Sequence, residues 1–250
     1  MNNIKLETDI IGKKIYHFDN IDSTNIFSKK LIKKDAIQGT VVVSDIQMKG
    51  RGRKDRNWFS PKGGLWFSII LYPKLSVNKS ILVTMIASIS VSQSIIKLTN
   101  TKPVIKWPND ILINKKKVCG ILTETEVKKG KIEYMIVGIG LNVNNKLNDE
   151  LSKSATSLIE EINKDISIQD LLKDILVNFD NNYKLLNKKD FLQIRKLWLN
   201  FSNIIGRKVK IKEEESEIIG NVIDFSEDGS LIIESENKRK KIIFGDLEYI

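Results

Sequence analysis

The spacing of hydrophobic and polar positions changes period several times along the chain, and each change marks an element. From Asp22 to Lys34 (DSTNIFSKKLIKK) polar capping residues precede Ile26, Phe27 and Leu31 at helical spacing, which predicts a short amphipathic helix. Thr40 to Ile46 and Leu65 to Leu71 read as strands. The stretch between them, MKGRGRKDRNWFSPKGG, is too rich in glycine and charge for regular structure. A long helix is predicted from about Asn78 to Leu98. Its apolar run, Ile81 to Ile96, is interrupted by serines, Thr84 and Gln93 and falls short of the roughly 20 residues of a membrane span, so it reads as a buried helix. Strand-like pieces follow at Val104 to Trp107, Ile111 to Ile113 and Val118 to Glu126. The turn Asn114-Lys115-Lys116 joins the last two, and Lys128-Lys129-Gly130 turns into the apolar run Ile132 to Ile139.

Strands and helices in this irregular order, with several hairpins, predict an α+β fold: a mixed, largely antiparallel sheet backed by helices, not a doubly wound parallel sheet. The run from Val137 to Val143 is read as an apolar sheet edge and a candidate homodimer surface. Leu171, Leu172, Ile175, Leu176, Phe179 and Tyr183 form one helical stripe, and Phe191, Ile194, Leu197, Trp198 and Phe201 a second; both predict core-facing helices. After Gly206 the texture changes to short strands, VKIK, IIGNVIDF, SLIIES and KKIIFG, separated by an acidic turn and by Asp228-Gly229. These predict a small SH3-like barrel. The boundary falls near Ser202, dividing the chain into domains 1–202 and 203–250.

Composition narrows the class. With 41% hydrophobic and 29% charged residues among 250, the chain can bury a core of normal size. The single cysteine, Cys119, excludes an intrachain disulfide and fits a reducing compartment, and MNNIKLETDI lacks the apolar stretch of a secretory signal. A cytoplasmic protein without membrane association is expected. The net charge of +10 raises nucleic acid as a partner, yet the lysines are scattered as a solvated surface would scatter them. Only Lys49, Arg51, Arg53, Lys54 and Arg56 concentrate charge in one loop.

Several kinds of chemistry are excluded. His17 is the only histidine, so zinc clusters and histidine triads have no second member, and it reads as a structural or surface residue. No P-loop occurs, and Gly138-Ile-Gly140 fails as a dinucleotide fingerprint because Val143 stands at the third glycine position. Gly50-Arg51-Gly52-Arg53-Lys54-Asp55-Arg56 alternates close backbone approach with guanidinium groups suited to phosphate oxygens. The same composition suits a mobile basic loop or an RNA contact, and residue types alone weigh these equally. In Lys106-Trp107-Pro108-Asn109-Asp110 a lysine beside an aspartate suits phosphate neutralisation and magnesium binding, or an ordinary ion pair at a turn. Gly120, within Lys117 to Glu124, leaves room for a ligand against a strand, and Gly138 and Gly140 flank the polar Asn142.

The order of these segments is more specific than any one of them. DSTN, Gln47 with GRGRKDRxWxS, GGLWFS, KWPND, KxxGIL and GIGLNVN follow one another over residues 22–144, and the chain resembles the biotin–protein ligases, or biotin–[acetyl-CoA-carboxylase] ligases. The resemblance extends through the carboxy-terminal barrel. It implies a catalytic domain like that of class II aminoacyl-tRNA synthetases, with ATP, biotin and Mg²⁺ as reactants and cofactor. Biotin would be activated as biotinyl-5′-AMP and passed to one lysine of a biotin carboxyl carrier domain of a biotin-dependent carboxylase.

On the matching positions the resemblance implies that Ser23, Thr24 and Gln47 bond the ureido ring, with Asn25 supporting that wall. Arg51, Gly52 and Arg53 belong to the loop that closes over the acyl-adenylate, and Lys117 reaches the carboxylate and phosphate; Gly120 lies beside the biotin. Lys106 and Asp110 neutralise charge and hold magnesium. Arg56, Asn109 and Asn142 join Arg51, Arg53 and Lys106 around the nucleotide, and Arg53, Lys106 and Lys117 are the catalytic cations. Trp58 supplies aromatic surface to the adenine or biotin rings; Trp66 fits that role or core packing. The loop departs from the usual GRGRxGR in carrying Asp55 at the third glycine. Because DSTN begins about twenty residues in, a monofunctional ligase without the amino-terminal DNA-binding domain of some relatives is expected. The rivals are a lipoate–protein ligase or octanoyltransferase of related fold, and an RNA-binding module using the basic loop.

Overall fold

The computed structural model describes residues 6–212, 216–236 and 238–250. Seven strands form the main sheet: β1 Ile15–Ile21, β2 Val41–Gln47, β3 Leu65–Leu71, β4 Val104–Lys106, β5 Asp110–Ile113, β6 Lys116–Lys128 and β7 Lys131–Leu141. Their order is β1-β2-β3-β7-β6-β5-β4. Only β1 and β2 pair in parallel; every other neighbour is antiparallel. The sheet is thus mixed and largely antiparallel.

Alternation along the strands separates two layers. Val41 and Val43 on β2, and Leu65, Phe67, Ile69 and Leu71 on β3, face the main core, whereas Val42 and Ile70 face the opposite side. That opposite side carries α1 (Thr24–Ile32), whose Leu31 and Phe27 complete a small second cluster. On the main side pack α2 (Ile81–Thr99), α4 (Ile168–Asn187) and α5 (Phe191–Leu199). A strand buried on both faces reads as a continuous apolar run, which is why LWFSIIL has no polar face of its own. The run Ile81–Ile96 lies within α2, most of whose residues are buried against the sheet and α4.

The two predicted stripes form α4 and α5, with Leu171, Leu172, Ile175, Leu176, Phe179 and Tyr183 all buried. A further short helix, α3 (Leu158–Ile162), lies before them. Its start follows Ser-x-x-Glu, and the Glu160 carboxylate accepts from the Ser157 N–H at 3.3 Å.

Five strands follow: β8 Lys208–Lys212, β9 Glu217–Phe225, β10 Leu231–Ser235, β11 Lys238–Ile242 and β12 Asp246–Tyr249. They make an antiparallel sheet ordered β11-β10-β9-β8-β12. KKIIFG is not one strand: β11 ends at Ile242, and Gly245 leads into β12. The acidic turn expected at 213–215 lies outside the described residues.

Two expectations are corrected. Val137 to Val143 is not a sheet edge. β7 lies between β3 and β6, and Val137, Ile139, Leu141 and Val143 are buried, so this run offers no dimer surface. The segment after Gln47 is not wholly irregular either: Gln47 bridges Ser60, Arg51 bridges Asn57, and a 3₁₀ turn spans Arg53–Asp55. The loop is a short, bent hairpin rising from the end of β2.

Candidate active site

On the α1 side of the main sheet opens a cleft of about 760 Å³. The amino end of α1 gives it Ser23, Thr24 and Asn25, and the end of β2 gives Gln47. The hairpin contributes Arg51, Gly52, Arg53, Arg56 and Trp58. The β4–β6 region brings Lys106, Asn109, Asp110, Lys117 and Gly120, and Asn142 follows β7. All the site residues expected from sequence line this one cleft. Trp66 does not: it is fully buried in β3 and donates its indole N–H to the Pro61 carbonyl at 3.0 Å. His17 pairs with Asp45 at 2.7 Å.

One end of the cleft is a wall of amides and hydroxyls. Gln47 Oε1 accepts from the Thr24 N–H at 2.9 Å and lies 3.1 Å from its hydroxyl; Gln47 Nε2 donates to Ser60 Oγ at 2.9 Å, and Ser60 to the Trp58 carbonyl at 2.9 Å. Ser68 Oγ lies 2.6 Å from both Thr24 Oγ1 and Asn25 Oδ1. Asn25 Nδ2 donates to Glu124 Oε2 at 2.8 Å. Buried polar groups this fully partnered hold one arrangement, and a ligand that leaves them unpaired is rejected. Burial alone would raise the Glu124 carboxyl; hydrogen bonds from Lys29 and Asn25 and the charges of Lys29 and Arg51 hold it below its ordinary value.

The hairpin carries the cations over the cleft, and each meets a carboxylate. Arg51 lies 3.4 Å from Glu124 and 3.3 Å from Asp55. Arg53 donates to Asn109 Oδ1 at 3.0 Å and to the Gly245 carbonyl at 2.9 Å. Asp246, the first residue of β12, lies 3.4 Å from Arg53, 3.0 Å from Lys54 and 3.4 Å from Arg56. Burial would raise Asp246, but the Lys54 hydrogen bond and the three cationic charges hold it below the usual carboxylate range. The second sheet therefore closes one side of the cleft, adding Lys212, Asp246, Leu247 and Glu248 to its lining. Asp55 has φ 55°, the left-handed region that glycine enters without cost and aspartate tolerates better than most. Its carboxylate neutralises Arg51 across one turn.

Two glycines make room for side chains of the protein itself. A Cβ at Gly140 would lie 2.3 Å from Trp58 Nε1, and one at Gly138 would lie 2.2 Å from Asn25 Oδ1. The indole of Trp58 rests against β6 and β7 over Gly120 and Gly140, with Lys117 Nζ 5.1 Å from its ring. Trp58 Nε1 is buried with no hydrogen-bond partner among the described residues. The space foreseen for a ligand above Gly120 is thus shared with Trp58.

Lys117 Nζ lies 2.7 Å from Asp110 Oδ1, while Asn109 donates from Nδ2 to the Ile121 carbonyl at 2.9 Å. Asn142 donates to the Thr156 carbonyl at 3.1 Å and accepts from Asn145 at 3.2 Å, so its amide ties down the 142–157 segment that borders the cleft. Among the described residues no three metal-ligating side chains cluster. Asp110, already paired with Lys117, suits an ion brought in by phosphates and not a resident metal.

Sequence reading missed Ser60, Ser68, Glu124 and Asp246 as parts of the site. Ser68 lies inside an apolar run and Asp246 stands 192 positions after Lys54, so neither carries a local signal.

Residues 17–142 match the model of the biotin/lipoate A/B protein ligase family. The bifunctional ligase/repressor BirA of Bacillus subtilis is 35% identical over 247 residues, covering 97% of this chain and 76% of the relative. The biotin–[acetyl-CoA-carboxylase] ligase of Paracoccus denitrificans is 26% identical over 228 residues, 88% of this chain and 94% of that protein. The solved biotin protein ligase from Aquifex aeolicus in complex with biotin and ATP superposes with a TM-score of 0.81 at 32% identity, over 95% of this chain and 99% of that one.

Proposed function

The chain belongs to the biotin/lipoate A/B protein ligase family, and from that premise we propose how its cleft joins biotin to ATP and passes biotin on to a protein lysine. It is a biotin–[acetyl-CoA-carboxylase] ligase, an ATP-dependent enzyme. The observation that carries the reading is the union, in one cleft, of a buried amide–hydroxyl wall with a cationic hairpin.

The ureido ring of biotin has one strong acceptor and two donors, and the wall formed by Ser23, Thr24, Asn25 and Gln47 offers the complementary groups. A bare acyl chain brings no donor or acceptor to this wall and would cover whatever hydrogen-bonding capacity the wall's internal bonds leave open, at a cost of about 1–3 kcal/mol for each buried group left unsatisfied. This disfavours lipoate or octanoate. The RNA-binding alternative is also disfavoured, because Arg51, Arg53, Lys54 and Arg56 are counter-charged from within the protein.

With the ring at the wall, the valeryl chain runs toward Lys117 and the hairpin. A carboxylate oxygen of biotin attacks the α-phosphorus of ATP, the bond to the β-phosphate oxygen breaks, and pyrophosphate leaves. No activated side chain is needed, so catalysis is positioning and charge stabilisation. Lys117 neutralises the meeting carboxylate and phosphate, and Arg53 and Lys106 the charge that builds on the phosphates. Asp110 is the carboxylate that would hold a magnesium ion accompanying ATP, which would neutralise phosphate charge there. In the second half the carrier lysine, as free amine, attacks the carbonyl carbon of biotinyl-5′-AMP; AMP leaves and the amine loses its proton. A hairpin that excludes water protects the anhydride between the two steps.

The acceptor is a biotin carboxyl carrier domain. The main sheet with its helices forms a catalytic domain of the class II synthetase type over 1–202, and 203–250 a small SH3-like barrel, supported by the strand order of the second sheet. A cytoplasmic setting is in keeping with a single, buried, free cysteine.

The test is magnesium-dependent pyrophosphate release from ATP with biotin and lipoate in parallel. Release with biotin alone is the expected result. Release with lipoate alone would move the protein to the other branch of its family, and release with neither would refute the ligase reading.

A further inference from the structure

Glu124 stands on β6, lines none of the predicted site, and yet touches three parts of it. Its Oε2 accepts from Asn25 Nδ2 at 2.8 Å, its Oε1 accepts from Lys29 Nζ of α1 at 2.8 Å, and Arg51 of the hairpin lies 3.4 Å away. The side chain is only 20% exposed. We propose that Glu124 is a positioning residue for the biotin end of the cleft, fixing which way the Asn25 amide points and thereby the polarity of the hydrogen-bond chain that meets the ligand. The proposal rests on the biotin-ligase reading.

An ionised carboxylate only accepts, so Asn25 must turn its NH₂ toward Glu124, where the Leu122 carbonyl, 3.4 Å away, asks for the same orientation. Asn25 Oδ1 then faces Ser68, and an amide oxygen also only accepts, so the single Ser68 proton points at Asn25. Ser68 is left with lone pairs toward Thr24, 2.6 Å away. Gln47 Oε1 is held by the Thr24 N–H, which leaves Gln47 Nε2 to donate to Ser60. The Asn25 amide and the Ser68 hydroxyl are thus set before a ligand arrives, and their setting starts at the carboxylate, whereas Gln47 is turned by the Thr24 N–H.

A glutamine at this position has the same shape but offers either an oxygen or an NH₂. It would leave only the longer Leu122 contact to hold the Asn25 amide against a flip, and it would leave Lys29 and Arg51 without their shared counter-charge. A purely structural ion pair between strand and helix would cost stability and leave substrate recognition alone.

The experiment uses the full chain with the pyrophosphate-release assay, comparing wild type, Glu124→Gln, Asn25→Ala and the double variant, each checked for folding by its thermal melt. Glu124→Gln is expected to raise the KM for biotin about 10- to 100-fold, the loss typical of a charge-assisted hydrogen bond, with the KM for ATP within about twofold. In the double variant the biotin KM is expected to match that of Asn25→Ala alone, because the two residues act through one contact. An unchanged biotin KM in a folded Glu124→Gln protein, or effects that simply add, overturns the assignment while wild-type turnover leaves the ligase reading intact. Wild type that fails to release pyrophosphate with biotin overturns both.

Discussion

Replacing Asp246 by asparagine removes one charge and almost no volume, and it tests whether the second sheet holds the cationic hairpin. Arg53, Lys54 and Arg56 all converge on that carboxylate, at 3.4, 3.0 and 3.4 Å. Exposed ion pairs are worth about 0.2–1 kcal/mol each; Lys54 and Arg56 belong at the low end and the more buried Arg53 at the high end. Because they share one acceptor they do not add fully, and together they contribute about 1 kcal/mol. The bonds from Arg53 to Asn109 and to the Gly245 carbonyl remain, so the hairpin should still dock. The detached population should rise about fivefold. Trypsin reads this directly, since Arg51, Arg53, Lys54 and Arg56 are all cleavage sites. When opening is fast relative to cleavage, the nicking rate follows the open population. At low salt Asp246→Asn should be cut in the hairpin about fivefold faster than wild type, and in about 0.5 M salt the ratio should shrink. Equal nicking at low salt, or a ratio indifferent to salt, would refute the tether.

Three further outcomes are expected. Arg53→Gly removes the links to Asn109, Gly245 and Asp246 together; it should release biotinyl-5′-AMP and biotinylate exposed lysines indiscriminately, and unchanged acceptor selectivity by mass spectrometry would count against that. Gly140→Ala places a methyl 2.3 Å from Trp58 Nε1, so the indole must move; a loss of about 1–3 kcal/mol and a shifted tryptophan emission should appear in the melt. Asp228 is held at about 2, against an ordinary 3.8, by Lys241, Ser226 and Ser230 despite the opposing effect of burial. A lowered folded value means that its contribution is full above pH ~4 and fades as pH falls toward 2; urea melts over that range should show it, and Asp228→Asn should flatten the slope.

How far the sequence was legible depended on the range of the forces involved. Leu65–Leu71 and the stripe from Leu171 to Tyr183 were readable because continuous or periodic burial is written locally. The same rule, applied consistently, would have put Met135 to Leu141 in the middle of the sheet, since a run with no polar alternation is covered on both faces. The helix at Leu158–Ile162 also had its signal, Ser157 three residues before Glu160. The motif residues could be assigned to one cleft because their order is specific. Ser68, Glu124 and Asp246 could not, because what makes them matter is a partner 43, 99 or 192 positions away. Asp55 was read as a departure from pattern; its left-handed backbone explains why glycine is the usual occupant.

The tether between the hairpin and β12 also has a bearing on how the chain is born. The hairpin leaves the ribosome early, while its carboxylate partner is encoded 192 residues later. At synthesis rates of about 5–20 residues per second, that separation is roughly 10–40 s. Throughout that interval the nascent chain presents a basic segment with no counter-charge from β12, beside the RNA of the ribosome that is making it. The wall of amides and hydroxyls can assemble once β7 is out, so recognition of the ring precedes the means to enclose the activated acid. Premature termination just short of Asp246 would therefore yield a chain that keeps its substrate pocket and lacks the clasp.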